Sequence, residues 1–413
     1  MSNREFVTSM STISRRRLAG LAAGSVLAGT GTAGRAQAQS RPLVIGILND
    51  ATGPTADLSG IGSQLSAEMA VRDFGGSVIG RPIELLKADH QAKPDLGVGM
   101  ARQWYDQGVA AIFDIGITTV AAGVQRLARD KDKIAVFTST GTVDLTRSMC
   151  SPNGIHWTYD SHSVAVGAAR ANMVAGGKKW FFMTVDYAYG RSLEAEATGF
   201  IKGAGGTVLG SAVHAFDTKD FSSDLLKAKA SGADLIALAT PTPQIANIVK
   251  QAAEFGIDRR GQKLAPFGLF SNDVKGLGLA VAQGLLVTDS FYWDQNDATR
   301  AFSKRFFERS GRNPNGLQAS VHGAVTHYLN AVKAANTDDT GAVLKAMRAA
   351  KINDFMTRDG YIRPDGRVVR EVSVYRVKSP DQSRSEWDLY EQLSIIPGDQ
   401  AFSAPDPACT LAT

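Results

Sequence analysis

The sequence predicts an α/β protein made of two lobes, each a parallel β-sheet covered by helices on both faces, with a multi-strand hinge between them. Three observations indicate this class. Short apolar runs alternate with amphipathic stretches along most of the chain, which is typical of parallel sheets. The alternation pauses at residues 150–160, starts again, and is followed by a long remainder. A length of 413 residues also suits two domains better than one core.

The first series of elements lies before the pause. Short apolar runs predict strands at residues 43–48, 83–87, 110–115 and 134–137. The amphipathic stretches between them predict helices at residues 63–74, 96–107 and 120–129.

The second series repeats this pattern after a polar segment, "CSPNGIHWTYD", that contains a proline and a glycine. Strands are predicted at residues 180–185, 207–213, 235–239, 266–270 and 285–287, with helices in the first three gaps.

The remainder must pack back on lobes that are already complete. Helices are predicted at residues 299–310, 317–336 and 341–349, and strands at residues 361–363, 372–377 and 387–393. Several crossovers and a cleft are therefore expected. We expect the first lobe to comprise residues 41–160 and 291–363, the second lobe residues 161–290 and 364–400, and a C-terminal tail residues 401–413.

Residues 1–38 have the features of a Tat-type (twin-arginine) signal peptide. Arginines 15–17 follow Ser14, a weakly apolar stretch rich in Leu, Ala and Gly spans residues 18–34, and "RAQA" ends in a small-residue cleavage pattern. A membrane anchor is the alternative, but the run is shorter than a span requires. We expect export to the periplasm and a soluble protein after cleavage.

The charge balance argues against a nucleic-acid partner. The formal net charge is +5, from 45 basic and 40 acidic residues. Residues 1–38 hold five arginines and one glutamate, which leaves 45 − 5 = 40 basic and 40 − 1 = 39 acidic residues, a net of +1. The electrostatic footprint of a nucleic-acid-binding protein is therefore missing.

The motifs of common enzyme and cofactor sites are absent from the sequence. It contains no phosphate-binding loop, no H-E-x-x-H, no C-x-x-C and no G-x-S-x-G. The glycine pairs at residues 60–62 and 276–278 fail the spacing of a dinucleotide fingerprint. No metal, cofactor or catalytic residue is expected.

The two cysteines, Cys150 and Cys409, are the only ones in the chain. In an oxidising compartment we expect them to form a disulfide, which would join the C-terminus to the middle of the chain. Two independent thiols are the alternative.

Hydroxyl side chains follow two neighbouring predicted strands. "AVFTSTGTVDL" leaves a strand with Thr138, Thr140 and Thr142, and "DIGITTVAAG" places Thr118 and Thr119 at the start of a helix. Ligands of open α/β sheets bind at the carboxyl ends of strands, where helix N-termini present free N–H groups. These threonines therefore predict a neutral seat for an anion such as a carboxylate. The alternative is that they only cap helices and form turns.

Several longer blocks carry a family resemblance. "VIGILNDATGPTADLSGIGSQLSAEMAVRDFGG", "DYAYGRSLE", "GLLVTDSFYWDQND" and "WDLYEQLSIIPGDQAF" resemble the periplasmic ligand-binding proteins of branched-chain amino-acid type ABC importers, which have the type I fold of two Rossmann-like lobes. The resemblance covers essentially all of residues 41–409.

This resemblance implies a set of ligand contacts. In the first lobe the ligand carboxylate would be held at Thr119, Thr140 and Thr142. The neighbourhood of Leu58, where some family members carry a tyrosine, is a candidate for an aromatic wall. Tyr189 of "DYAYG" would form an aromatic wall, while Thr240 and Thr242 are candidates in the second lobe. Tyr292 and Trp293 would line the hinge side or be ordinary core aromatics.

The sequence departs from the family pattern where amino-acid-binding members place a glutamate for the ligand ammonium. Ser271 stands at that position, and Asp273 lies two residues on. If Asp273 does not face the cleft, a bound ammonium has no charge partner, which is costly in a closed site. The ligand is then a carboxylate without an α-amino group, such as an aromatic or aliphatic acid.

The expected function is capture of a small carboxylate ligand, either an amino acid or an organic acid, and its delivery to an ABC permease and ATPase complex in the inner membrane. The protein is expected to be a monomer and not an enzyme. A sensing subunit for a membrane receptor is the main alternative, and an exported enzyme is less favoured.

Overall fold

The structure is a computed structural model that describes residues 41–257 and 261–411. The expected signal peptide, residues 1–38, lies outside the described residues. Within the described residues, no helix is both long enough and apolar enough to cross a membrane.

The first sheet is built almost entirely from the first half of the chain. Its strands are β1 (Leu43–Asn49), β2 (Ser77–Val78), β3 (Arg81–Asp89), β4 (Ala111–Asp114), β5 (Ile134–Phe137) and β6 (Gly154–His156). They lie in the order β2-β3-β1-β4-β5-β6, and all neighbours are parallel except β2 and β3. Its helices are α1 (Gly60–Asp73), α2 (Pro94–Asp106) and α3 (Thr118–Asp130), with a short 3-10 helix at Val143–Thr146.

The second sheet has four parallel strands. These are β7 (Lys179–Val185), β8 (Thr207–His214), β9 (Leu235–Ala239) and β10 (Lys263–Pro266), in the order β10-β9-β7-β8. The helices of this part are α4 (Ser161–Val174), α5 (Ala188–Gly203), α6 (Ser222–Ala230), α7 (Thr242–Glu254), α8 (Ser271–Leu277) and α9 (Leu279–Ala282). Central strands such as β9 are buried along their whole length, which explains their continuous apolar sequence.

The last part of the chain adds to both lobes. It contains β11 (Leu286–Asp289), α10 (Asp297–Ser310), α11 (Gly316–Ala335), α12 (Thr340–Ala349), β12 (Tyr361–Ile362), β13 (Val368–Val369), β14 (Val372–Val377), β15 (Tyr390–Ile396) and α13 (Gly398–Ala401). Strands β11, β14 and β15 form an antiparallel sheet, and β12 pairs with β13.

Two large cores show how this last part is divided. Tyr328 of α11 packs edge-on against Phe113 of β4, with ring centroids 5.5 Å apart, in the core under the first sheet. Tyr375 and Tyr390 instead belong to the core that contains Phe181 of the second sheet. Each large side chain buried in this way contributes about 1.5–3 kcal/mol. The chain therefore returns to the first lobe and then to the second, as a two-lobe fold with several connections requires.

Three local expectations were wrong. The polar pause at residues 150–160 contains a strand, β6, which has a single aliphatic residue, Ile155, and therefore gives no apolar run. The strand expected at residues 266–270 is Lys263–Pro266, because the aromatic residues after it are buried in loop conformation. The last strand spans Tyr390–Ile396 rather than residues 387–393. Its middle residues are exposed, so the sequence has no continuous apolar run that marks the ends of the strand.

The C-terminal tail is joined to the first lobe by a covalent bond. Cys150 and Cys409 form a disulfide with their Cα atoms 5.7 Å apart. Ala401 and Phe402 are buried in a small cluster with residues of β13, β14 and β15. The tail is thus attached both by packing and by the disulfide.

Candidate functional site

A cavity of about 70 Å³ lies between the carboxyl ends of the two parallel sheets. Loops after β1, β4, β5 and β6 supply Thr55, Leu58, Ser59, Ile117, Thr118, Ser139, Thr140, Gly141 and Tyr159. Loops after β7, β8, β9 and β10 supply Tyr187, Tyr189, Phe216, Pro241, Thr242, Gly268 and Phe270. A space of this size holds roughly five to seven water molecules, so it suits a compact ligand.

The N-termini of four helices meet at this cavity. Its lining includes the N-cap residues of α1, α3, α5 and α7, which are Ser59, Ile117, Tyr187 and Pro241. None of the four side chains makes a capping hydrogen bond. Apart from the Gln244 amide of α7, which donates to the Pro241 carbonyl, the first-turn N–H groups of these helices are left for another acceptor. The helix dipoles add partial positive charge. Such a place favours an anion.

The loop between β5 and the 3-10 helix adds further donors. The backbone N–H groups of Thr140 and Gly141 donate to none of the described backbone carbonyls. The Thr140 side chain lines the cavity, but its hydroxyl donates to the Ile115 carbonyl. The donors that this loop offers a ligand are therefore mainly its amides.

The described residues that line the cavity include no charged side chain. Two acidic side chains near the lining, Asp50 and Asp114, are engaged in other hydrogen bonds. Asp50 accepts from the Gly53 and Thr55 amides, both at 2.8 Å, and from the Thr55 hydroxyl at 2.7 Å. Asp114 accepts from Thr138 and Ser139 and from the Asn49 amide, and burial raises the pKa of its carboxyl group. Neither carboxyl group is available to a ligand ammonium.

The turn that leads into α3 has an unusual backbone. Asp114, Ile115 and Ile117 have φ angles of 76°, 51° and 63°, a region that β-branched residues rarely adopt. Asp114 connects this turn to β1 and to the loop after β5 through its hydrogen bonds. Strain of this kind persists only where the surroundings enforce it, and it is common at binding sites. Here it sets the direction of the α3 N-terminus.

Aromatic rings form the other part of the lining. The Tyr189 and Tyr159 hydroxyls share a hydrogen bond, and burial raises the pKa of both phenols, so both stay neutral. Tyr159 packs edge-on against Phe270 at 5.5 Å, and Tyr187 packs edge-on against Phe216 at 5.6 Å. The cavity thus combines neutral donors on the first lobe with aromatic rings that come mostly from the second lobe.

Gly141 allows these rings to approach the donor loop. A Cβ atom at this position would lie 2.6 Å from the Tyr189 ring and 2.7 Å from the Tyr159 ring. We expect Gly141→Ala to push both rings into the cavity and to weaken ligand binding by about 1–3 kcal/mol.

Isothermal titration of the Gly141→Ala variant measures this loss. Gly116→Ala is a matched control, because its new Cβ would lie 3.9 Å from its nearest neighbours. Equal affinities for the two variants would contradict the role given to Gly141.

Three of the eight residues expected to contact the ligand lie in the lining, namely Thr118, Thr140 and Tyr189. Leu58 and Thr242 also lie there, as the family resemblance implied. Thr118 lies at the first position of α3, and its side chain is buried.

Three other threonines are outside the lining. Thr119 is exposed, because one step along a helix turns its side chain away from the neighbouring Thr118. The Thr142 hydroxyl accepts from the Asp144 amide and caps the 3-10 helix. Thr240 is fully buried and bonds to Gln244 and His214.

The second-lobe candidates for an ammonium partner also lie outside the lining. Ser271 is buried at the start of α8. Asp273 accepts from the Phe270 amide at 2.9 Å and lines a neighbouring groove that shares Leu58 and Thr242 with the cavity. Burial raises the pKa of Asp273 to about 8. Asp273 therefore borders the cavity without lining it, and its carboxyl group is already hydrogen-bonded to its own loop.

The two hinge-side aromatics lie in the core of the second lobe. The Tyr292 hydroxyl and the Trp293 indole N–H both donate to the Trp387 carbonyl at 2.7 Å. They take no part in the cavity lining.

Sequence reasoning missed several lining residues. Tyr187 lies two residues before Tyr189 in the same quoted motif, so its aromatic character was a usable signal. Tyr159 lies in the segment read as a polar pause, and Phe216 follows an edge strand with no motif. Only the tertiary arrangement brings these three rings together.

Comparison with known proteins adds to this geometry. A family model described as "Periplasmic binding protein" matches residues 42–383. A periplasmic binding protein from Burkholderia mallei shares 39% identity with a TM-score of 0.87, over 90% of this chain and 99% of that one.

Two ABC transporter proteins have similar structures. A branched-chain amino-acid ABC transporter periplasmic ligand-binding protein from Burkholderia xenovorans shares 38% identity with a TM-score of 0.81, over 87% of this chain and 96% of that one. A solute-binding protein from R. palustris, solved with benzoate, has a TM-score of 0.76 at 19% identity, over 87% of this chain and 98% of that one. At that identity the last likeness concerns the fold alone.

Proposed function

Since this chain belongs to the periplasmic binding proteins of branched-chain amino-acid type, we propose that it is the solute-binding component of an ABC importer whose ligand is a small carboxylate without an α-amino group. The observation that carries the proposal is an uncharged cavity at which four uncapped helix N-termini meet. An anion is stabilised there by N–H groups and helix dipoles without any cationic side chain.

The absence of an α-amino group follows from the lack of a carboxylate in the lining. A bound ammonium has to lose its hydration when the lobes close, and a buried charge without a partner costs several kcal/mol. Asp50, Asp114 and Asp273 all have other hydrogen bonds. An aromatic or branched aliphatic acid avoids this cost and gains contact with the tyrosine rings.

We place the carboxylate of the ligand at the first lobe. Its proposed donors are the first-turn N–H groups of α3, the Thr118 hydroxyl and the amides of Thr140 and Gly141. Tyr189 of the second lobe, together with its partner Tyr159, forms the proposed aromatic wall. These contacts lie on both sides of the cavity, so a ligand stabilises the closed arrangement of the lobes.

The proposed mechanism uses the two lobes as rigid bodies. We propose that residues 41–160 and 291–363 move as one lobe, residues 161–290 and 364–400 as the other, and that the closed monomer docks on a membrane permease driven by its ATPase subunits. The ligand supplies the differential contact that favours closure. Capture and release need no covalent chemistry.

Thermal unfolding with a panel of acids tests the proposed ligand class. 4-Methylpentanoate and leucine form a matched pair, because they differ only in the α-amino group. We expect 4-methylpentanoate or benzoate, but not leucine or valine, to raise the unfolding temperature. A ligand at 100 times its Kd adds about 2.7 kcal/mol of stability. A leucine shift equal to that of 4-methylpentanoate would overturn the amine-free assignment.

A further inference from the structure

The Tyr187 side chain is the starting point for a more specific inference about the ligand. Tyr187 lines the cavity, and its hydroxyl oxygen is buried without a hydrogen-bond partner among the described residues. A buried hydroxyl that has lost its water and gained no partner is costly. A group that is absent from the unliganded protein therefore has to satisfy it.

Most other hydroxyls of the lining are already engaged. Thr55 donates to Asp50, Ser139 to Asp114, Thr140 to the Ile115 carbonyl and Thr242 to the Gly268 carbonyl. The Tyr187 hydroxyl differs from these hydroxyls because it has no hydrogen-bond partner among the described residues. The hydrogen bonds of its own loop therefore do not account for its position.

A second buried hydroxyl without a partner, Ser59, lies on the opposite lobe. Ser59 is 1% exposed, its hydroxyl has no partner among the described residues, and it precedes the first turn of α1. Its place among the first-lobe N–H groups suits the carboxylate end of a ligand. Tyr187 precedes α5 on the second lobe and faces the other end.

The surroundings of Tyr187 keep its ring in place. The ring packs edge-on against Phe216, with centroids 5.6 Å apart and planes inclined by 67°. Its backbone N–H donates to the Val185 carbonyl at 2.8 Å. A ring fixed in this way presents its hydroxyl at one position, which is what recognition of a single polar atom requires.

We propose that Tyr187 is a specificity-determining residue whose hydroxyl hydrogen-bonds a second oxygen of the ligand, a hydroxyl or carbonyl oxygen at the end remote from the carboxylate. This inference rests on the proposed function and narrows its ligand class to hydroxy- or oxo-carboxylates. A site with a buried polar group rejects an analogue that lacks the matching group, because that group is then left unpaired.

Two matched pairs of acids test this inference by isothermal titration. One pair is benzoate and 4-hydroxybenzoate, and the other is pentanoate and 4-oxopentanoate. In the wild-type protein we expect the oxygenated member of at least one pair to bind about tenfold more tightly, the effect of one hydrogen bond. In Tyr187→Phe this ratio should fall to about one, because phenylalanine keeps the ring but lacks the hydroxyl.

Tyr361→Phe is the matched control. Tyr361 lies on β12, is 40% exposed and is absent from the cavity lining. This variant should keep the wild-type ratio. The unfolding temperature of ligand-free Tyr187→Phe should not fall, since no hydrogen bond is lost, which shows that the variant folds.

Each other outcome overturns a different statement. A ratio near one in the wild type would reject a second oxygen on the ligand, and a ratio retained in Tyr187→Phe would reject Tyr187 as its partner. In both cases the proposed carboxylate function stands, because the acids bind. If none of the four acids binds the wild type, this inference fails, and the proposed function fails as well if 4-methylpentanoate does not bind either.

Discussion

Replacing Cys150 with serine is expected to lower the free energy of unfolding by about 2–5 kcal/mol. The disulfide with Cys409 joins residues that are 259 positions apart, so it restricts most of the unfolded chain. In the chain-entropy account the stabilisation grows with the length of the closed loop. Urea unfolding of the oxidised proteins measures the difference.

Two controls isolate the covalent bond from side-chain packing. Cys409→Ser should lose the same stability as Cys150→Ser, and the double variant should lose no more than either. Wild-type protein unfolded in the presence of a reductant should match them. Equal urea midpoints for oxidised wild type and Cys150→Ser would show that the tail is held by packing alone.

The fold class was predictable because it depends on periodicity, which is local information. Buried parallel strands read as continuous apolar runs, and β1, β4, β5 and β9 all have this character. β6 was missed because it has one aliphatic residue, and its pairing with β5 comes from the tertiary structure. The sequence therefore predicts strands correctly where the strand is buried along its whole length.

The position of the site was predictable, but the role of each side chain was not. Strand-end loops were the right region because parallel strands bring their carboxyl ends to one edge. Thr118 and Thr119 look alike in the sequence, yet one lines the cavity and the other is exposed. The role of Thr142 was not predictable either, because its hydroxyl caps the 3-10 helix instead of facing the cavity. Such choices depend on helix direction and on which backbone groups lack a partner.

The lack of an ammonium partner required the structure as well. The sequence offered Asp273 two residues after Ser271, and only the bond from the Phe270 amide shows that the carboxyl group is used locally. The same holds for Asp114, a strand-end carboxylate whose hydrogen bonds link its own turn to β1 and to the loop after β5. An acidic residue near a site is therefore weak evidence for a cation until its own hydrogen bonds are known.

Arg367→Met is expected to destabilise the protein by about 3–5 kcal/mol, because it leaves a buried carboxylate without its charge partner. Arg367 and Asp160 are both almost fully buried, with Nη1 of Arg367 3.3 Å from Oδ2 of Asp160. Burial lowers the pKa of Arg367 to about 10, so it remains charged at neutral pH.

The same arginine joins chain segments that connect the lobes. Its Nε donates to the Val368 carbonyl at 3.0 Å, its Nη2 donates to the Thr158 carbonyl, and its guanidinium lies 4.5 Å from the Phe402 ring centroid. Asp160 in turn caps α4 by accepting from the Ser163 amide at 2.7 Å. Loss of the pair therefore disturbs the segment before α4 as well as the tail.

A double-mutant cycle separates the charge pair from lost packing. Asp160→Asn alone leaves Arg367 without its carboxylate, whereas the double variant removes both charges and should cost less than the sum of the two single changes. Arg376→Met is the surface control, because its ion pair with Glu391 is about half exposed at 3.6 Å and such pairs contribute about 0–1 kcal/mol. If Arg367→Met and Arg376→Met have equal unfolding free energies, the buried pair has no special role. A large difference would mean that this junction depends on the buried ion pair between Arg367 and Asp160.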